Sequence, residues 1–150
     1  MSQPVSSRRI GYAVAALVNM VLFFLINASP GWQVVPFLTD DMRQVLGILN
    51  LSLIVGVIAN VLFVIVDRAW LKALGDLITV SIGVVVLVRL LQVFPFDFSG
   101  STIDWALVLR VVLAVSIGGA LIAIIVQLVL LVRSLFGHDR RDARRTTPRP

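Results

Sequence analysis

Three stretches of this chain carry no charged side chain: residues 10–39, 44–66 and 111–132. No other feature restricts the fold as strongly, because a run of that length needs an apolar solvent on every side of the element it forms. The last run, 22 residues, extends about 33 Å as a helix at about 1.5 Å per residue, against a hydrocarbon core of about 30 Å. A soluble core rarely calls for such a helix. The rest of the chain agrees: 59% of its residues are hydrophobic, 14% are charged, and the mean hydropathy is +1.01. The sequence predicts an all-α protein, a four-helix transmembrane bundle in the lipid bilayer.

Helices are expected over about 9–28, 40–67, 70–94 and 102–136, giving a transmembrane domain over 1–136 and a basic tail over 137–150. Thr39 before Asp40 and Asp41 offers a capping hydroxyl and negative charge where a helix start is electropositive. Ser101 with Asp104 resembles a capping box opening the fourth helix. Pro95 stops the third helix, and Gly137 is a plausible stop for the fourth. Arg8 and Arg9 before an apolar stretch also fit a secretory signal. The stretch is longer than the usual apolar region of such a signal, and a retained anchor is expected.

Orientation is read from Lys and Arg, which concentrate on the cytoplasmic side. Arg8 and Arg9 precede helix one, Arg68 and Lys72 join helices two and three, and Arg133, Arg140, Arg141, Arg144, Arg145 and Arg149 follow helix four. The opposite loops hold Asp40, Asp41, Asp97 and Asp104, with Arg43 just inside helix two. Both termini are therefore expected in the cytoplasm, at the plasma membrane. Trp and Tyr favour the headgroup boundary, which puts Tyr12 and Trp70 at the inner interface and Trp32 and Trp105 at the outer. The segments Gln33–Phe37 and Gln92–Phe96 share Gln-Val-x-Pro-Phe. Duplication of a helical hairpin and coincidence both account for that match.

Lipid is as apolar as leucine, so membrane helices meet at small residues and through interhelical hydrogen bonds. Each helix has a candidate face at four-residue spacing: Gly11, Ala15 and Asn19; Ser52, Gly56 and Asn60; Gly75, Thr79 and Gly83; and Ala114 with Gly118, beside Gly119 and Ala123. These faces serve packing within one bundle, or contact with a larger membrane protein or a second copy.

Arg89 is forced into the membrane, because the uncharged part of helix three before it, 77–88, spans only about 18 Å. It has two readings. One is an anion or small-molecule pathway in the outer half, with Asn50, Gln92 and Arg110 completing a polar layer. The other is a side chain that snorkels outward to Asp97, Asp104, Asp40 or Asp41. Asp76 either relays protons or binds a cation, or it caps helix three or pairs with Arg68 or Lys72. The tail arginines Arg140, Arg141, Arg144 and Arg145 suit anionic lipid headgroups.

Several function classes lose their chemistry. The chain has no cysteine and no glutamate, and its single histidine, His138, is in the tail. No base is placed to activate Ser52, Ser81 or Ser116, and neither a haem nor a thiolate metal site is available, so no enzyme activity, metal or cofactor is expected. Basic residues without interleaved aromatics give no reason to expect nucleic acid. Small multidrug transporters share this architecture, but their first-helix glutamate has no counterpart between Ile10 and Ala28. Fluoride channels share the short helices, but their glycine-rich arginine signature is not matched by Ser116-Ile117-Gly118-Gly119-Ala120.

In Pro30-Gly31-Trp32-Gln33-Val34-Val35-Pro36-Phe37-Leu38-Thr39 and Val93-Phe94-Pro95-Phe96-Asp97-Phe98 the chain resembles uncharacterised small bacterial membrane proteins. The resemblance spans most of helices one to three. It implies four helices and a bacterial plasma membrane, and it carries no activity, cofactor or site. With catalytic sets missing, the expected role is that of an accessory or interaction component of a membrane complex.

Overall fold

A computed structural model of the chain describes residues 5–66 and 68–136. Four α-helices are present: α1 (Val5–Asn27), α2 (Arg43–Ile65), α3 (Ala69–Val93) and α4 (Trp105–Phe136). Short 3-10 turns lie at Trp32–Val34 and Asp40–Met42, and there is no strand among the described residues. All four helices are long and apolar enough to cross a membrane. The 23 residues of α1 measure about 35 Å at about 1.5 Å each, and the 32 of α4 about 48 Å, well beyond a bilayer core of about 30 Å.

The helix ends differ from the sequence expectation for identifiable reasons. Residues 40–42 wind as a 3-10 turn, so α2 starts at Arg43, three residues later than expected. Thr39 precedes that turn, but its hydroxyl caps nothing: Oγ1 is buried and has no hydrogen-bond partner. α4 starts at Trp105 rather than at 102. Asp104 Oδ1 accepts the Leu107 N–H at 2.9 Å, while Ser101 Oγ accepts the Ile103 N–H at 3.2 Å. The two residues thus act one after the other and not as a reciprocal box. α3 ends where Phe94 enters the left-handed region, φ 46° and ψ 63°, with its N–H donating to Leu90 O at 2.9 Å. A residue before proline is driven out of the right-handed region, and Pro95, which follows, is fully buried. The expected stop at Gly137 and the tail bearing Arg140, Arg141, Arg144 and Arg145 lie outside the described residues.

The helices pack in chain order: α1 on α2, α2 on α3, and α3 most extensively on α4. α1 and α4 make no comparable contact, so the bundle is an open row with α2 its best-covered member. α2 ends at Ile65 and α3 begins at Ala69, and the two pack against one another as antiparallel neighbours. The connections 28–42 and 94–104 meet at one end of the row, so α1 begins and α4 finishes at the other.

That meeting is hydrogen-bonded. Leu38 and Phe96 form an isolated antiparallel bridge, with Thr39 N–H donating to Pro95 O at 3.0 Å and Asp97 N–H donating to Phe37 O at 2.9 Å. Beneath it Trp32, Met42 and Val45 are buried together, covered by Ile26, Leu38, Leu90 and Val93. Trp32 is therefore a core anchor of the paired loops and not a boundary residue facing lipid. The two Gln-Val-x-Pro-Phe segments lie against one another here. The helices do not follow the same symmetry, since a twofold would pack α4 on α1 as α3 packs on α2.

Candidate functional site

The four residues of the expected polar layer have separate surroundings. Asn50 exchanges two hydrogen bonds with Asn27, each 2.8 Å, tying α2 to α1. Arg110 lies over the Phe94 ring, its guanidinium carbon 4.5 Å from the centroid. Arg89 and Gln92 are exposed and share a stripe of α3 with Ile78 and Val85, at helical spacing. Among the described residues Arg89 has no ion-pair or hydrogen-bond partner. Asp97, Asp104, Asp40 and Asp41 do not pair with it. Asp40 is engaged by Arg43 at 3.3 Å, and Asp41 accepts from Gln44 at 2.9 Å. Arg43 also lies 6.0 Å from the Trp32 ring centroid.

The small-residue stripes divide into two groups. Gly56 is buried, and a Cβ there would lie 2.6 Å from Asn19 Nδ2, so α1 approaches α2 closely at that point. The antiparallel register of this pair runs from Tyr12 against Phe63, rings 5.4 Å apart edge to face, through Asn19 against Gly56, to Asn27 with Asn50. Ala16 is buried on the same face, one position beyond Ala15. Gly75 receives the other side of Phe63, and a Cβ there would lie 2.5 Å from the ring. Gly11, Gly83 and Gly118 have open space where a Cβ would stand. The polar members Ser52, Asn60 and Thr79 are satisfied within their own helices. Ser52 donates to Leu49 O at 2.7 Å, Asn60 to Gly56 O at 2.7 Å, and Thr79 to Gly75 O at 2.8 Å. A helix carbonyl three or four residues back is the nearest acceptor in an apolar medium.

At the end where α1 begins, Lys72 joins three helices. Its ammonium pairs with Asp76 and lies 5.7 Å from the Tyr12 ring centroid and 5.5 Å from that of Phe63. Asp76 is thus the partner of Lys72, one of the two bases expected for it. Across from this pair stands Gln127 of α4, which sequence reading passed over. Its signal was available, since it is the one amide in the α4 segment. Asn27 was passed over as well, because its partner Asn50 is 23 positions away.

At the opposite end the loops build an aromatic cap. Phe37 stacks on Phe98 at 5.8 Å, Phe98 on Phe96 at 6.2 Å, and Phe96 meets Phe94 edge-on at 5.4 Å. The Asp97 carboxyl is held below its ordinary value, first by the Ser99 N–H donating at 2.9 Å and then by the Ser99 hydroxyl. These residues present no nucleophile beside a base, and no cluster of potential metal ligands occurs among the described residues.

Fold and side chains together define an all-helical protein of the membrane type, with four apolar helices of spanning length. No family model matches the chain, and neither a curated protein nor a solved structure matches it.

Proposed function

We propose that the protein is an accessory or interaction component of a larger membrane assembly, joined through the stripe of α3 that bears Arg89 and Gln92. The observation that carries this reading is the lone guanidinium of Arg89, exposed on a spanning helix with no counter-ion among the described residues. A charge at the centre of such a helix costs about 3 kcal/mol on insertion scales and less towards its ends. A carboxylate on a neighbouring membrane helix offsets that cost, and Gln92, one turn away, fixes the geometry. The packing supports the same reading, because α3 meets α2 and α4 and still leaves the stripe of Arg89 and Gln92 uncovered. An anion pathway would need Asn50 and Arg110 to converge on Arg89, and their side chains are engaged by Asn27 and Phe94. The basic residues at 8–9, 68–72 and 133–149 support cytoplasmic termini, and the loop resemblance supports a bacterial plasma membrane.

The chain has no cysteine, so Gln92→Cys introduces a unique thiol for crosslinking in native membranes. A discrete heavier adduct is expected from position 92, lost when Arg89→Ala is added, and not formed from Leu107→Cys on the exposed face of α4. An adduct of twice the chain mass would identify the partner as a second copy. The same adduct pattern from both cysteines would sink the proposal.

A further inference from the structure

A groove of about 460 Å³ runs between the first turns of α3 and the last turns of α4. Lys72 and Asp76 stand on its α3 wall, and Gln127, Leu130 and Arg133 on its α4 wall. We infer that this groove holds the phosphodiester headgroup of an anionic phospholipid between Lys72 and Arg133.

Charge selects the ligand. Two cations against the Asp76 carboxylate leave one net positive charge among the groups lining the groove, which matches the single negative charge of a phosphodiester. The Lys72 side chain is 47% exposed and that of Asp76 is 25% exposed, so more of the basic side chain than of the acidic one is open at the groove. The rings of Tyr12 and Phe63 hold that ammonium in place from α1 and α2. Arg133 is exposed on the opposite wall. A guanidinium there donates two N–H groups to phosphate oxygens, and the Gln127 amide is placed for the glycerol or ester oxygens.

Position selects a lipid over a free anion. The groove lies at the ends of two helices of membrane-spanning length, and Leu130 continues into the exposed apolar face of α4 with Val126 and Val129. Acyl chains lie along that face while the headgroup stays at the basic mouth. Basic grooves between spanning helices at the membrane surface recognise anionic lipids by this combination. The site is independent of the partner proposed at Arg89, which lies on a different part of α3.

The test is lipid retention by the full chain, extracted from phosphatidylcholine vesicles holding a minority of phosphatidylglycerol and weighed by native mass spectrometry. Wild type is expected to retain phosphatidylglycerol in preference to phosphatidylcholine. Arg133→Gln should weaken that preference about fivefold, as expected for one basic side chain near an anionic surface. Lys72→Gln should do the same, and since it also releases Asp76, its helicity is checked by circular dichroism. Arg9→Gln, a charge removed at the same end of the row but outside the groove, should change nothing. Equal losses in Arg9→Gln and Arg133→Gln would overturn the site in favour of bulk attraction. Displacement of the lipid by inorganic phosphate would reassign the groove to a free anion and overturn the lipid assignment.

Discussion

Thr39 shows how far a residue's type is from its role. Its place before two aspartates is that of a helix cap, yet its hydroxyl is buried without a partner: the Met42 N–H three residues on, which a capping hydroxyl would accept, donates to the Thr39 carbonyl at 3.0 Å in the 3-10 turn. A buried hydroxyl left unpaired costs about 1–3 kcal/mol, whereas an apolar group of the same shape does not. Thr39→Val is therefore expected to stabilise the protein by about 1 kcal/mol in SDS-titrated unfolding in micelles; a loss of stability would show that the hydroxyl has a partner. Asp97 makes the opposite case. Its folded value is depressed by the Ser99 donors, so its stabilising contribution is full above the ordinary aspartate value of 3.8 and is lost as pH falls through the lowered value. The Ser99 amide resonance should titrate with a midpoint below 3.8, and a midpoint at or above the ordinary value would remove the Asp97–Ser99 turn.

Among the elements, α2 and α3 meet, as α1 and α2 do at Gly56, through a close approach to a glycine. The Phe63 ring is buried against the bare backbone of Gly75, while Gly83, two turns on, faces open space. Gly75→Ala must push a packed ring aside, and overpacking of this kind costs about 1–3 kcal/mol. Gly83→Ala, with open space for the methyl group, should stabilise by about 0.5–1 kcal/mol, because alanine loses less backbone freedom than glycine in a helix interior. Equal effects in the same unfolding assay would refute the Phe63–Gly75 contact as the seam between α2 and α3. The four-residue spacing that picked out both glycines could not separate them, because a helical stripe records which positions share a face and not which face meets a neighbour.

The whole molecule is an open row, and its uncovered faces are where the proposed partner would dock. Gly118 of α4 has nothing within reach of a Cβ, so Gly118→Leu should not lower the isolated chain's stability and should raise it by up to about 1 kcal/mol through helix propensity. If the face bearing Gly118 is also used in the assembly, the crosslinked adduct from position 92 will be lost in this variant while the monomer remains folded. Retention of the adduct restricts the interface to the Arg89–Gln92 stripe of α3.

Much of this was legible in order of sequence. The uncharged runs beginning at Ile10, Gln44 and Val111 set three of the four helices and their approximate limits, because the cost of placing a charge in hydrocarbon acts on every position of a run at once, and the shorter run 77–88 marked the third. The pairing of Asp76 with Lys72 was legible as well, being a contact four residues apart on one helix. What the chain order could not contain was contact between segments far apart in it. The bridge of Leu38 with Phe96, the exchange between Asn27 and Asn50, the burial of Trp32 and the convergence of Lys72, Gln127 and Arg133 on one groove each depend on which helix faces stand next to one another. In lipid, where apolar faces are nearly equivalent, that choice is made by a few close approaches such as Asn19 on Gly56 and Phe63 on Gly75, and only the assembled structure reveals them.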